Sequence, residues 1–137
     1  MIEKILSVIK CALMKRVFKT RYFTRWMRKT ALTDPVLCEA IYEMIAGLID
    51  ADLGGGVLKK RVALPGGGKS AGTRTLVATN KDDRWFFVFG FEKNVRANVT
   101  AKELEALQTL AADLLKLSTT DLNRQVERQT LVEICHE

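Results

Sequence analysis

The chain of 137 residues is the length of one ordinary domain and too short for two well-buried ones; 47% hydrophobic residues supply a real core and exclude a disordered chain. No apolar run approaches the roughly 20 residues that a membrane-spanning helix needs. Three cysteines without CxxC spacing, and a single histidine at position 136, argue against a disulfide framework, a zinc knuckle and a histidine-based metal site.

In chain order, residues 1–13 place Ile2, Ile5, Leu6, Ile9 and Leu13 on one helical face. Ser7 and Lys10 interrupt the apolar stretch and no small-residue cleavage site follows, so a signal peptide is not indicated. The segment reads as an amphipathic helix or as an extension ahead of a start at Met14, the latter being preferred. Met14 to Thr20 predicts a short strand. Residues 21–30 carry Tyr22, Phe23, Trp26 and Met27 at helical spacing, best read as core. A second helix opens at Thr33 or Asp34 with Pro35 in its first turn, and its apolar stripe runs from Val36 to Leu48. These two helices are expected to form a hairpin.

Gly54-Gly55-Gly56 ends that pattern, and from Val57 the period becomes two. Leu58, Lys60, Val62 and Leu64 point one way, and Val57, Lys59, Arg61 and Ala63 the other. A glycine-rich link at 65–72 leads to a strand at 73–79. A turn at 80–83 leads to an apolar strand at 84–91, so an antiparallel meander is predicted. Thr100 and Glu103 form a capping box that opens a Leu-rich helix, and residues 122–134 suggest a last helix and a short strand.

Charge is segregated along the chain. Residues 15–29 hold seven bases and no acid, residues 30–58 five acids and no base, and residues 59–96 nine bases against three acids. A chain selected only for solubility would intersperse the signs, so one positive surface for an anionic partner is implied; the blander alternative is a set of solvated faces. The GGGKS run at 66–70 is not a phosphate loop. That pattern needs Gly where Ala63 stands, and a helix where a β-branched strand follows. In a meander, however, Lys59, Arg61, Lys69, Arg74, Lys93 and Arg96 fall on neighbouring elements about 5 Å apart and converge.

The order Gly54-Gly55-Gly56, Lys59-Lys60-Arg61-Val62-Ala63, Gly66-Gly67-Gly68-Lys69-Ser70, Arg74-Thr75-Leu76 and Phe89-Gly90-Phe91-Glu92-Lys93-Asn94 resembles the HigB-like branch of the RelE/ParE toxin superfamily. The likeness starts at Met14 and runs through Asn98 and the capped helix, which is why residues 1–13 read as an extension to a single toxin domain at 14–137. It implies an α+β fold in which an N-terminal helical hairpin packs on a small curved antiparallel sheet with a C-terminal helix. It further implies the toxin of a type II pair, cytoplasmic, blocked by a cognate antitoxin and cutting mRNA in the ribosomal A site without metal or cofactor. Superfamily members similar to ParE act on DNA gyrase instead, and a plain RNA-binding module is a third reading. That module would use Trp85, Phe87, Phe89 and Phe91 as a stacking platform, although alternating aromatics on a strand are more simply core.

The chemistry expected is transesterification at phosphorus. Guanidinium groups match phosphate oxygens in bidentate fashion, which assigns charge stabilisation to Arg74 and Arg61. An ammonium crowded by other cations yields its proton more readily, so Lys59 or Lys93 is the candidate general base, with neither preferred. Lys60, Lys69, Arg84, Asn94 and Arg96 are assigned to holding flanking RNA. Related enzymes often carry a late tyrosine, and here Tyr22 and Tyr42 both lie in the first two helices. Thr73 likewise stands where an aromatic is often found.

Overall fold

A computed structural model describes residues 15–64 and 72–136; the N-terminal segment read above as an extension, and Lys69 with its glycine-rich loop, lie outside the described residues. The elements run β1 (Arg16–Thr20), α1 (Arg21–Met27), α2 (Asp34–Ile45), β2 (Ala51–Asp52), β3 (Val57–Val62), β4 (Thr73–Thr79), β5 (Arg84–Glu92), α3 (Ala101–Lys116), α4 (Thr119–Glu127) and β6 (Leu131–Ile134). They form an α+β fold around one six-stranded sheet of order β2-β3-β4-β5-β1-β6.

Local chemistry sets the ends of these elements. The Thr20 hydroxyl accepts from the Phe23 amide at 3.2 Å and starts α1 directly from the end of β1. Pro35 lies in the first turn of α2, where its missing N–H has no cost. Thr100 and Glu103 make the reciprocal capping box of α3, and the Ser118 hydroxyl caps α4. Gly54, Gly55 and Gly56 all have positive φ (82°, 62° and 81°), a left-handed run that side chains resist, and it turns β2 into β3. A Cβ on Gly55 would also lie 2.8 Å from Gln108 of α3.

The β3-β4-β5 meander is antiparallel as the spacing predicts, but the sheet as a whole is not. β1 lies parallel to β5, with Val17 opposite Trp85 and Phe18 opposite Phe86, while β6 runs antiparallel on its outer side. Only strands joined by tight turns are obliged to run antiparallel, and β1 is separated from β5 by two helices and the meander.

Helices cover both faces. On one, Phe23 and Met27 of α1 and Leu37, Ala40, Ile41 and Met44 of α2 pack on Val17, Leu58, Val62, Val77, Trp85 and Phe87. On the other, Leu107, Ala111 and Leu114 of α3 and Leu122 of α4 pack on Phe18, Val57, Leu76, Phe86, Val88, Phe89 and Phe91. Each buried side chain of this size contributes roughly 1.5–3 kcal/mol, so both layers are needed for a stable sheet.

A β-bulge corrects the aromatic alternation. Leu76 pairs with Phe89 but Val77 pairs with Phe87, which leaves Val88 as the extra residue. Trp85 and Phe87 therefore join the α1/α2 core, and Phe89 and Phe91 the α3/α4 core. The four rings do not share a face and form no single platform.

A second correction concerns the cysteines. Cys38 of α2 and Cys135, just after β6, are joined as a disulfide with Cα atoms 5.5 Å apart. Distant positions in the chain meet because α2 folds back over the sheet toward its β6 edge.

Candidate functional site

The site begins at a cross-strand register. Arg61 of β3 stands opposite Arg74 of β4, and Arg74 stands opposite Phe91 of β5. Strand alternation puts this row on the α3/α4 face, the next row being Lys59, Leu76 and Phe89. Like charges directly opposite one another destabilise a sheet, so an Arg–Arg pair asks for an anion.

The two guanidinium groups both approach Gly72. A Cβ built on it would lie 3.3 Å from Arg61 Nε and 3.5 Å from Arg74 Nη1, so both nitrogens lie beside the same backbone position. Arg74 Nη1 is buried and has no hydrogen-bond partner among the described residues. A buried charged donor without an acceptor carries a desolvation penalty of about 1–3 kcal/mol or more.

Arg96 completes the site from the loop after β5, in a role other than the one its charge suggests. Its guanidinium makes two hydrogen bonds to the Glu103 carboxylate, at 2.7 and 3.0 Å, and lies over the Phe89 and Phe91 rings at 5.0 and 5.5 Å from their centroids. Glu103 is held to about 2, well below the ordinary carboxylate range, first by Arg96 and then by the Thr100 amide. Arg96 thus ties the loop to the first turn of α3 instead of presenting a free phosphate grip.

Of the remaining sequence candidates, Lys59 is half-buried in the row beside Arg61, and Lys93 and Asn94 are exposed in the turn that follows β5. Lys60 does not join them. It is only 7% exposed on the opposite face, where its ammonium meets Glu43 at 2.9 Å and donates to the Leu48 carbonyl at 3.0 Å. Strand alternation had already turned it toward α2, and the acid block of α2 is what receives it. Arg84 is also elsewhere. It opens β5, opposite Arg16 in the parallel register, and donates to the Leu117 carbonyl beyond the end of α3. Seven residues of strand, about 23 Å of chain, separate it from Phe91.

Tyr22 is the residue that sequence reasoning misplaced. Read as core, it is 61% exposed and stacks nearly parallel on Phe89, with centroids 5.9 Å apart. Its position one residue off the Phe23–Met27 stripe was the available signal. Beside it an apolar groove of about 580 Å³ runs between α3 and β5, lined by Val88, Phe89, Leu107, Leu110 and Leu114. Among the described residues no cluster of His, Cys, Asp and Glu could hold a metal ion, and no helix is long and apolar enough to cross a membrane.

Residues 15–134 match a protein-family model described as the RelE toxin of the RelE/RelB toxin–antitoxin system. A comparison with curated proteins gave no match.

Proposed function

The chain belongs to the RelE toxin family, and from that premise, which makes it a type II toxin with an antitoxin partner, we propose that it cleaves mRNA on the ribosome. The observation that carries the reading is the Arg61–Arg74 pair beside Gly72, with Arg74 Nη1 buried and without a partner among the described residues. A gyrase-blocking toxin has no need of such a pair, whereas phosphoryl chemistry does.

The mechanism follows from these groups. An RNA phosphate seated on the row receives hydrogen bonds from Arg74 and Arg61, and these strengthen as charge builds on the phosphorane. Lys59 or Lys93 takes the proton from the 2′-hydroxyl. The 2′-oxygen bonds to phosphorus as the bond to the 5′-oxygen breaks, leaving a 2′,3′-cyclic phosphate and, after proton transfer, a 5′-hydroxyl. Tyr22, exposed and stacked on Phe89, offers a surface on which a neighbouring base stacks. The ribosome would contribute by holding the mRNA in a reactive geometry.

Inducible expression of the full chain beside Arg74→Ala tests this, with growth and mRNA 3′ ends followed. Growth arrest with new 3′ ends inside codons, both lost in the variant, is expected. Arrest with intact mRNA would sink the nuclease and point to a protein target.

A further inference from the structure

The apolar groove beside Tyr22 takes no part in the chemistry assigned to Arg61 and Arg74. Leu107, Leu110, Leu114 and Leu117 stand three and four residues apart along its α3 wall, and Val88 and Leu131 line it from the sheet. Leu110 and Tyr22 are exposed. From Glu103 to Leu117 that wall spans about 21 Å at the helical rise. A continuous leucine stripe of this length facing water is the kind of surface that another apolar element covers.

The start of β1 delivers one stretch of the chain to this groove. Arg16 stands opposite Arg84, and the Arg84 guanidinium donates to the carbonyl of Leu117, at one end of the leucine wall. The Arg16 guanidinium also lies 5.1 Å over the ring of Phe18, which belongs to the α3/α4 core. Whatever precedes Lys15 is therefore tethered beside Leu117, on the face that carries the groove. Residues 1–13 have the complementary pattern in their sequence. Ile2, Ile5, Leu6, Ile9 and Leu13 share one helical face, while Glu3, Lys4, Ser7, Lys10 and Cys11 fall on the other. Thirteen residues of helix measure about 20 Å, the length of the leucine wall. Charge fits the same alignment. Lys10 precedes Leu13 by about one helical turn, as Asp113 precedes Leu117, and Asp113 is exposed on the groove with no ion pair among the described residues.

We infer that residues 1–13 dock in this groove as an amphipathic helix parallel to α3, with Leu13 level with Leu117, Leu6 level with Leu110 and Ile2 toward Glu103. Apolar rows spaced by three and four residues on both helices interdigitate in that arrangement. The tether selects this occupant over a second copy or a separate protein. Met14 and Lys15 alone join the segment to β1, and so short a link sets its effective concentration in roughly the millimolar range. Of the two sequence readings of residues 1–13, the amphipathic helix is thus the one that the groove supports. A helix from another protein that seeks the same groove has to displace the segment first. None of this depends on the nuclease reading.

The test is cross-linking in the full chain, on a Cys11→Ser background that leaves the Cys38–Cys135 bridge in place. Under mild oxidation with glutathione disulfide, Leu6→Cys/Leu110→Cys is expected to close a bridge within one chain. The pair Lys4→Cys/Leu110→Cys, whose first member is on the polar face, is expected to close about tenfold more slowly. A second measurement follows anilinonaphthalene sulfonate, a dye that reports open apolar surface. Ile5→Lys/Ile9→Lys should raise its binding several-fold over the parent, and adding Leu110→Lys should remove that gain. Equal or absent cross-linking in the two pairs would overturn the inference. So would a bridge formed between two chains, which would put a second copy in the groove. Dye binding that Ile5→Lys/Ile9→Lys leaves unchanged, or a gain that survives Leu110→Lys, would do the same.

Discussion

Arginine at this surface does two different jobs, and neighbours rather than residue type decide which. Arg74 has a buried nitrogen without an acceptor among the described residues, and Arg96 has Glu103. The Arg96 pair is also an acid-sensitive clamp. Glu103 moves from the ordinary 4.5 to about 2 in the fold, so its ionised form is favoured by folding. A carboxylate depressed in this way contributes its full stabilisation above about pH 4.5 and loses it as the pH falls toward 2. Glu103→Gln can keep the capping bond to the Thr100 amide while removing the charge that Arg96 needs. Acid titration followed by circular dichroism should therefore show the variant less stable at neutral pH, with a smaller decline between pH 4.5 and 2. Parallel curves for the two proteins would show that the clamp contributes nothing to folding.

At the scale of elements, two close approaches set the site. The bulge at Val88 turns Phe89 and Phe91 toward α3, which gives Arg96 its rings and Tyr22 its stacking partner. Trp26 then pins α1 by lying across Gly90, where a Cβ would meet three ring carbons at 2.2 to 2.7 Å. Overpacking of this kind forces the indole to shift against Phe23, on which it packs. Gly90→Ala should cost about 2 kcal/mol or more in urea unfolding. Adding Trp26→Ala should cost less than the two single changes together, because the clash is then gone. Strict additivity in that cycle would mean that the helix does not rest on the glycine.

For the molecule as a whole, charge segregation has a structural meaning as well as a functional one. Asp34 and Glu43 of the acid block face Lys19 and Lys60 of the sheet, so part of the alternation along the chain is pairing between α2 and the strands beneath it. Removing either acid would leave a buried ammonium without its counter-charge. The Cys38–Cys135 bridge ties the same helix to the far edge of the sheet across 97 residues. Closing so long a loop restricts the unfolded chain, and Cys38→Ser should lower stability by about 3 kcal/mol in denaturant under non-reducing conditions. Reductant should produce a similar loss in the parent protein and no further loss in the variant; a parent insensitive to reductant would show that the bridge has no weight.

Much of the architecture was legible in the linear pattern because periodicity and capping act within a few residues. The meander, the capped α3, the opposite orientations of Lys60 and Arg61, and the segment order that resembles the toxin family all rest on such local signals. What lay beyond them was decided by contacts between distant segments: the parallel entry of β1, the bulge that divides the β5 aromatics, the pairing of Cys38 with Cys135, and the placing of Tyr22 over Phe89. The candidate site divides along the same line. That Arg61 and Arg74 are present on adjoining strands follows from alternation and turn length, whereas which arginines are consumed by Glu103 or Leu117, and which is left with a buried donor that no described residue fills, depends on where the other layer of the protein comes to rest.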